Sequence, residues 1–432
     1  MTLKKHSLIN FLFLVGFPCY GVGSYLSFKV NFSVGVIFGV APFLAILLFY
    51  AIDMMYRGRV VRMVNGNYGL AMLFLSATAA GYWVALRNGY MGLNPVNTAS
   101  QSLSMLIPFN AAVVVQIYNR GNTEFNYTTL LLKSLGLLML INVLGFAAGM
   151  HNLVHGFAGR LSLPFMMGIY DGAHLLAVIN LMLIFYMSDF RNKPITTALI
   201  YAAFFICLAM MANINSRLSI MIFFALIVLF LTRAIKAVKG LFSISIFTMP
   251  LLMSFSLLVY EILTLPFFQA MLDRVSKEDV TTFNGRTYIW EGVWDWFLND
   301  RRGLLFGNGY MGQAHIGMLD YMAKLWDGDP HLIHMHSTFL EVLVDQGLLV
   351  LLLLYVLTYR GHRHFRREYM DGSQDAPMYA AMVYLMFIWQ IDIFCYGMDI
   401  GNPILFSIFA VFCVKQQYIT RQRLDLKGLP LA

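Results

Sequence analysis

The 432-residue chain is 59% hydrophobic and only 12% charged, with a mean hydropathy of +0.67, which is more apolar surface than a soluble core of that size can hide. A water-soluble fold is excluded, and in lipid the long apolar stretches must be helices, because each backbone amide has to be satisfied within its own segment. The formal charge of +8 comes from basic residues that punctuate apolar runs instead of forming one patch, which argues against nucleic acid as a partner.

Lys4 and Lys5 precede an apolar run over 7–28 that lacks a small-x-small cleavage site and leads into further spans, so it is expected to stay as an uncleaved first helix. Runs delimited by charges and turn residues predict further spans at 33–52, 68–86, 103–118, 129–150 and 173–187. The second half adds 195–212, 218–231, 241–260, 338–359, 378–395 and 403–418. The spans ending at 187 and 231 fall short of the roughly 20 residues a bilayer core needs, so they must be extended or shielded. The expected fold is all-α and polytopic, about 12 transmembrane helices forming a single transmembrane domain over 1–432, with one large loop, 261–337, inserted between the ninth and tenth.

With both termini in the cytoplasm, Arg57, Arg59, Arg62, Arg120, Arg191, Arg233, Arg360 and Arg363 share one side with both tails. The short outer loops then carry only Lys29, Arg87, Arg160 and Arg217, which satisfies the positive-inside bias and puts the long loop outside. The cysteines Cys19, Cys207, Cys395 and Cys413 sit in or beside apolar segments without CxxC or metal-ligand spacing and read as packing residues.

Within the long loop, Arg286-Thr-Tyr-Ile-Trp-Glu-Gly-Val-Trp-Asp-Trp-Phe sets Ile289, Val293 and Trp296 at helical spacing, with Trp290, Trp294 and Phe297 alongside. This predicts an interfacial helix, either an aromatic anchor or a roof over a lipid-linked substrate. Gly303, Gly307 and Gly309 follow and fit no phosphate-loop template. The densest polar cluster comes next, from Asp327 through His331, His334 and His336 to Glu341, Asp345 and Gly347. Ser337 suits an N-cap, and Thr338, Glu341 and Asp345 then share one face, which should line a wet cavity or meet cations.

Three histidines beside two aspartates match no standard zinc spacing, so no metal is expected. His336 is either a hydrogen-bonded residue at a helix start or a catalytic one. Arg160, Arg217 and Arg286 either snorkel or make forked contacts with phosphate oxygens. Asp392, inside the eleventh span, is an acid in the membrane and a functional candidate on that ground, with one of the arginines as a partner.

Four features resemble the O-antigen ligase and polymerase superfamily of bacterial surface-glycan assembly: the twelve-span layout with its large outer loop, Ser216-Arg217, the Arg286 to Gly309 stretch, and His336-Ser337-x9-Gly347. The last departs from the ligase pattern at Val350, where Gly, Thr or Tyr is usual. The resemblance implies glycosyl transfer at the periplasmic face of the bacterial inner membrane, from a polyprenyl-diphosphate-linked oligosaccharide to a sugar hydroxyl, with no cofactor. It implies His336 as the catalytic base, and Arg160, Arg217, Arg286, His334, Glu341 and Asp392 as diphosphate- and glycan-binding residues. Membrane lipid, a chain-length regulator and a flippase are the implied partners. A polymerase of surface polysaccharide is favoured because of Val350, a ligase onto lipid A core is the alternative, and a lipid-linked-oligosaccharide flippase is the reading from another class. The polar cluster at one face, rather than at the midplane, favours an enzyme over the flippase.

Overall fold

A computed structural model describes residues 5–57, 64–90, 93–120, 122, 124–150, 161–166, 169–189, 193–214, 216–254, 286–325, 333–397 and 401–414. Apart from one isolated bridge between Val64 and Val414, regular structure among the described residues is helical. In chain order the helices are α1 (Lys5–Lys29), α2 (Phe32–Arg57), α3 (Gly66–Arg87), α4 (Pro95–Tyr118), α5 (Tyr127–Ala147), α6 (Ile169–Leu183), α7 (Tyr186–Asp189), α8 (Pro194–Ile214), α9 (Arg217–Leu231) and α10 (Leu241–Ser254). Four helices of the long loop follow, α11 (Arg286–Asn299), α12 (Arg301–Phe306), α13 (Gly312–His315) and α14 (Asp320–Leu325). The chain then returns to the bundle with α15 (Thr338–Met370), α16 (Ala376–Ile391) and α17 (Gly401–Cys413).

Seven of these are long and apolar enough to cross a membrane, namely α1 to α5, α8 and α15. With the shorter apolar helices α6, α9, α10, α16 and α17 they occupy the twelve positions expected from the sequence. The protein is an all-α, multi-pass membrane bundle. Leu199, Val228, Ile37 and Leu73 stand 58–65% exposed, an apolar belt that only lipid can cover. The most buried helices are the short ones at the centre: 15 residues of α16 are buried, so neighbouring protein, rather than lipid, meets the ends of a helix too short to span.

Several boundaries differ from those read by hydropathy, for local reasons. Asparagine side chains start three helices: Asn65, Asn94 and Asn126 accept from the backbone amides of Asn67, Asn97 and Thr129 at 2.8–2.9 Å. Asn94, followed by Pro95 in the first turn, starts α4 two turns before its apolar run, because its polar Thr98, Gln101 and Ser104 face the protein interior. α6 begins at Ile169 and α16 ends at Ile391, which leaves Asp392 as a C-cap rather than a residue within a span. α15 runs on to Met370, well past the expected 359. Of the ninth span only the part to Ser254 lies within the described residues.

The helices alternate in direction, and long-range contacts define the two ends. At one end Lys5 Nζ lies 2.6 Å from Asp53 Oδ1, Tyr118 donates to Asp53 Oδ2, and Thr128 donates to Asp375. At the other Asn88 donates to the carbonyl of Asn308, and the Tyr310 amide bonds the carbonyl of Gly81. The loop helices and the starts of α6, α9 and α15 share this second end with the finish of α16.

Candidate functional site

The site is built where the end of one helix meets the start of another. α15 begins at Ser337, whose hydroxyl caps it by accepting from the Leu340 amide at 3.4 Å and also donates to the carbonyl of Trp389 in α16. Thr338 donates through its amide and its hydroxyl to the Asp392 carbonyl, and its hydroxyl accepts from the Phe394 amide. Arg286, at the start of α11, donates to the Ile391 carbonyl. The orphan carbonyls at the C-terminus of α16 are therefore satisfied by α15 and by a cation that also suits the negative end of the helix dipole. Irregular backbone over 392–397 is tolerated here because protein covers it: Asp392, Phe394, Cys395 and Tyr396 are all buried.

This arrangement gathers three ionisable groups around one carboxylate. Asp392 Oδ2 lies 3.7 Å from an Arg286 guanidinium nitrogen and 3.4 Å from His174 Nε2, and its Oδ1 lies 3.9 Å from His336 Nδ1. These separations exceed ordinary charge-assisted hydrogen bonds, which run about 2.7–2.9 Å. His336 keeps 35% of its side chain exposed, whereas His174 is fully enclosed and Arg286 keeps only 11%. Desolvation holds the His336 imidazole below the ordinary histidine range; Asp392 pulls the other way and Arg286 reinforces the lowering. The backbone of His336 is left-handed, at φ +48°, a conformation that costs a non-glycine residue about 1–3 kcal/mol. Its neighbours impose it: the Met335 amide donates to Glu341 Oε2, the Met335 carbonyl accepts from Trp290 Nε1, and Ser337 is fixed as the cap.

Glu341 and Asp345 meet hydrogen-bond donors, and for Glu341 one of them is the ring of His334, a group able to carry the expected positive charge. Glu341 accepts from Gln313, from the Met335 amide and lies 3.3 Å from His334 Nδ1; Asp345 accepts from the Gly312 amide and the Tyr396 hydroxyl. Burial alone would lower the affinity of His334 for a proton, but its hydrogen bond to Glu341 and the nearby charges carry it above the ordinary range. The two loop histidines are thus biased oppositely, His334 toward the cation and His336 toward the neutral base.

The glycines of the loop dock it against α15. At Gly347 (φ +81°) the helix breaks, and the freed carbonyls of Val344 and Asp345 accept from the amides of Asn308 and Gly309. A Cβ on Gly347 would collide with the Leu305 carbonyl, and one on Gly307 with the Asp345 carbonyl. On α11, Ile289, Trp290, Val293 and Trp296 pack inward, while Trp294 is 63% and Leu298 60% exposed.

A family model described as O-Antigen ligase matches residues 202–355. Over these residues, about a third of the chain, the protein is similar to the O-antigen ligase family. No curated protein matches the chain. The family match covers Arg217, Arg286, His334, His336 and Glu341, and stops short of His174 and Asp392. Of the residues singled out from the sequence, the structure brings Arg286, His336 and Asp392 together and sets His334 and Glu341 beside them. Arg217 is the first residue of α9, next to the Ser216 N-cap. Arg160, Asp327 and His331 lie outside the described residues. Among the described residues no group of three or more His, Cys, Asp or Glu has an arrangement that could hold a metal ion. The residue missed by sequence reasoning is His174. It falls inside an apolar span, and the rule that flagged Asp392, that an ionisable residue in a membrane segment deserves a functional explanation, applies to it equally.

Proposed function

We propose that the chain is a polymerase of surface polysaccharide that transfers glycan from a polyprenyl-diphosphate-linked donor to a sugar hydroxyl, at the periplasmic face of the bacterial inner membrane. The observation that carries this reading is the Asp392 carboxylate shared between Arg286 and a half-open His336. In the step proposed, the acceptor oxygen forms a bond to the anomeric carbon as the bond from that carbon to the diphosphate oxygen breaks. The bonding electron pair leaves with the polyprenyl diphosphate, and the hydroxyl proton passes to His336. With Nδ1 turned toward Asp392, Nε2 is the nitrogen that takes it, and the lowered proton affinity of the ring keeps it neutral and receptive at physiological pH.

Negative charge accumulates on the departing diphosphate, and fixed cations that meet it more strongly in the transition state than in the ground state accelerate the step. Arg286 supplies one, with Arg217 and Arg160 proposed alongside, and the first turn of α15 adds its partial positive charge. His334, biased toward its protonated form, is proposed to contact the glycan or the diphosphate together with Glu341. A chain-length regulator and a flippase of the same pathway are proposed partners. The distribution of basic residues at the end opposite the site supports cytoplasmic termini.

The departure at Val350 supports polymerase over ligase, whereas the description of the matched family favours transfer onto a lipid A core as the second reading. Reconstitution of the purified protein with the lipid-linked repeat as the sole glycan separates them: elongation identifies a polymerase, and product only after addition of a lipid A core acceptor identifies a ligase. In the same assay His336→Ala should lower turnover about 100-fold to 10,000-fold while membrane insertion is unchanged. Transfer at the unmodified rate rejects His336 as the base.

A further inference from the structure

We propose that His174, on α6, is a positioning residue that fixes the Asp392 carboxylate so that one oxygen stays turned to His336; this rests on the transfer reading above. The ring is fully buried, and its two nitrogens face opposite partners. Nδ1 lies 2.9 Å from the hydroxyl of Ser219 on α9 and 2.9 Å from that of Tyr384 on α16, while Nε2 lies 3.4 Å from Asp392 Oδ2. The Ser219 hydroxyl is 2.6 Å from that of Ser216, the N-cap of α9, so the chain of contacts runs from the start of α9, beside Arg217, to the carboxylate.

The contacts select the tautomer. Hydroxyls donate to an imidazole lone pair as readily as they accept, so Nδ1 is served by Ser219 or Tyr384 whether or not the other turns away. A carboxylate offers only lone pairs, so an unprotonated Nε2 facing it would set two acceptors against each other. Nε2 therefore carries the proton and faces Oδ2 across 3.4 Å, a contact too long and misaligned for a formed hydrogen bond in this state and proposed to close when substrate binds. The Ile393 amide donates to Oδ1 at 3.0 Å, and the same Oδ1 faces His336. The charged and titratable groups facing Asp392 are Arg286 from α11, His174 from α6 and His336 from the loop before α15; His334 adds its charge near His336. A donor that stabilises a carboxylate weakens that carboxylate's hold on any other proton. His174 thereby tunes how strongly Asp392 supports the Nδ1 side of the His336 ring, and with it how readily Nε2 takes up the hydroxyl proton.

The test is a pH series of turnover in proteoliposomes, with a polyprenyl-diphosphate-linked oligosaccharide as donor. His174→Phe keeps the ring volume and removes both nitrogens; it should lower kcat about tenfold or more with KM for the donor within about threefold, and move the acidic limb of the profile to higher pH. His174→Gln restores an N–H near the position of Nε2 and should recover most of kcat and return the limb. A merely structural role would lower the active fraction without moving the limb. Wild-type kcat and limb in His174→Phe, or a Gln variant no better than the Phe variant, overturns the proposal.

If His174→Phe fails to fold, the double variant Ser219→Ala with Tyr384→Phe decides, since it keeps the ring but removes the two hydroxyls that hold Nδ1 and so orient Nε2 toward Asp392. It should shift the limb in the same direction, and an unshifted limb overturns the proposal. His336→Ala run alongside separates the two readings. An inactive His336→Ala beside a wild-type-like His174→Phe sinks the role of His174 alone, whereas an active His336→Ala removes the base and the positioning role with it.

Discussion

Both ends of the bundle bury carboxylates, and they do so differently. At the end holding the chain's first helix start, each acid is closed off by donors at ordinary hydrogen-bond distance: Asp53 by Lys5 and Tyr118 at 2.6 Å, Asp375 by Thr128 at 2.9 Å, Glu368 by Ser373 at 2.5 Å. At the other end Asp392 is approached by three ionisable groups, all at 3.4–3.9 Å, and one of them is open to the outside. Asp345, on the same helix start, follows the first pattern, and Glu341 combines it with a 3.3 Å contact to the partly open His334. Tight, fully paired acids hold elements together, whereas a carboxylate shared loosely among groups that can exchange protons is arranged to change state. Catalytic contacts are often long before substrate arrives and tighten afterwards.

The largest expected effect comes from exchanging the two kinds of acid. Asp392→Asn should lower turnover about 100-fold or more, with thermal unfolding in detergent little changed. Asp53→Asn should do the reverse, leaving turnover within about threefold and lowering stability by about 1 kcal/mol, because the half-exposed Lys5 ammonium loses its partner. If Asp53→Asn silences transfer as deeply as Asp392→Asn, the contrast between the ends is false.

Next is the pH dependence. In the proposed role His336 must be neutral, so turnover rises as pH climbs through its pKa and is flat above; since His336 is held below the ordinary value, the wild-type limb should lie below about pH 6.5. Arg286→Gln removes a cation that lowers the ring, so its turnover should fall about 100-fold and its limb should move upward. A limb that moves down contradicts the electrostatics assigned to the site.

Gly347→Ala tests how the loop is docked. A side chain at φ +81° adds about 1–3 kcal/mol of backbone strain before any collision with Leu305, readable as a lower unfolding temperature and as proteolysis of the loop. The smallest effect belongs to Trp294→Ala on the outward face of α11, expected to change unfolding by no more than about 0.5 kcal/mol in detergent.

Much of the fold was legible because lipid leaves a single solution for an apolar run, and the run lengths set the helices. His336 and Ser337 were readable because a histidine at a helix start and a cap leave local marks, whereas the break at Gly347 fell inside a span read as continuous. The start of α4 was misplaced because its first two turns are polar and face inward, so hydropathy could not see them. His174 went unread for a related reason: its partners, Ser219, Tyr384 and Asp392, are 45 to 218 residues away in sequence, and only packing of α6 between α9 and α16 makes them neighbours. The two carboxylates on the face of α15 were legible as costly, but not their partners, which the loop supplies through backbone amides that carry no sequence signature.

The left-handed turn at His336 narrows what can replace it. Among side chains other than glycine, asparagine tolerates that corner of backbone space best, so His336→Asn keeps the local path of the chain while lacking a ring nitrogen able to accept a proton. If the proposed transfer holds, it is the natural choice for a stalled protein on which donor and acceptor can be imaged before any bond has formed.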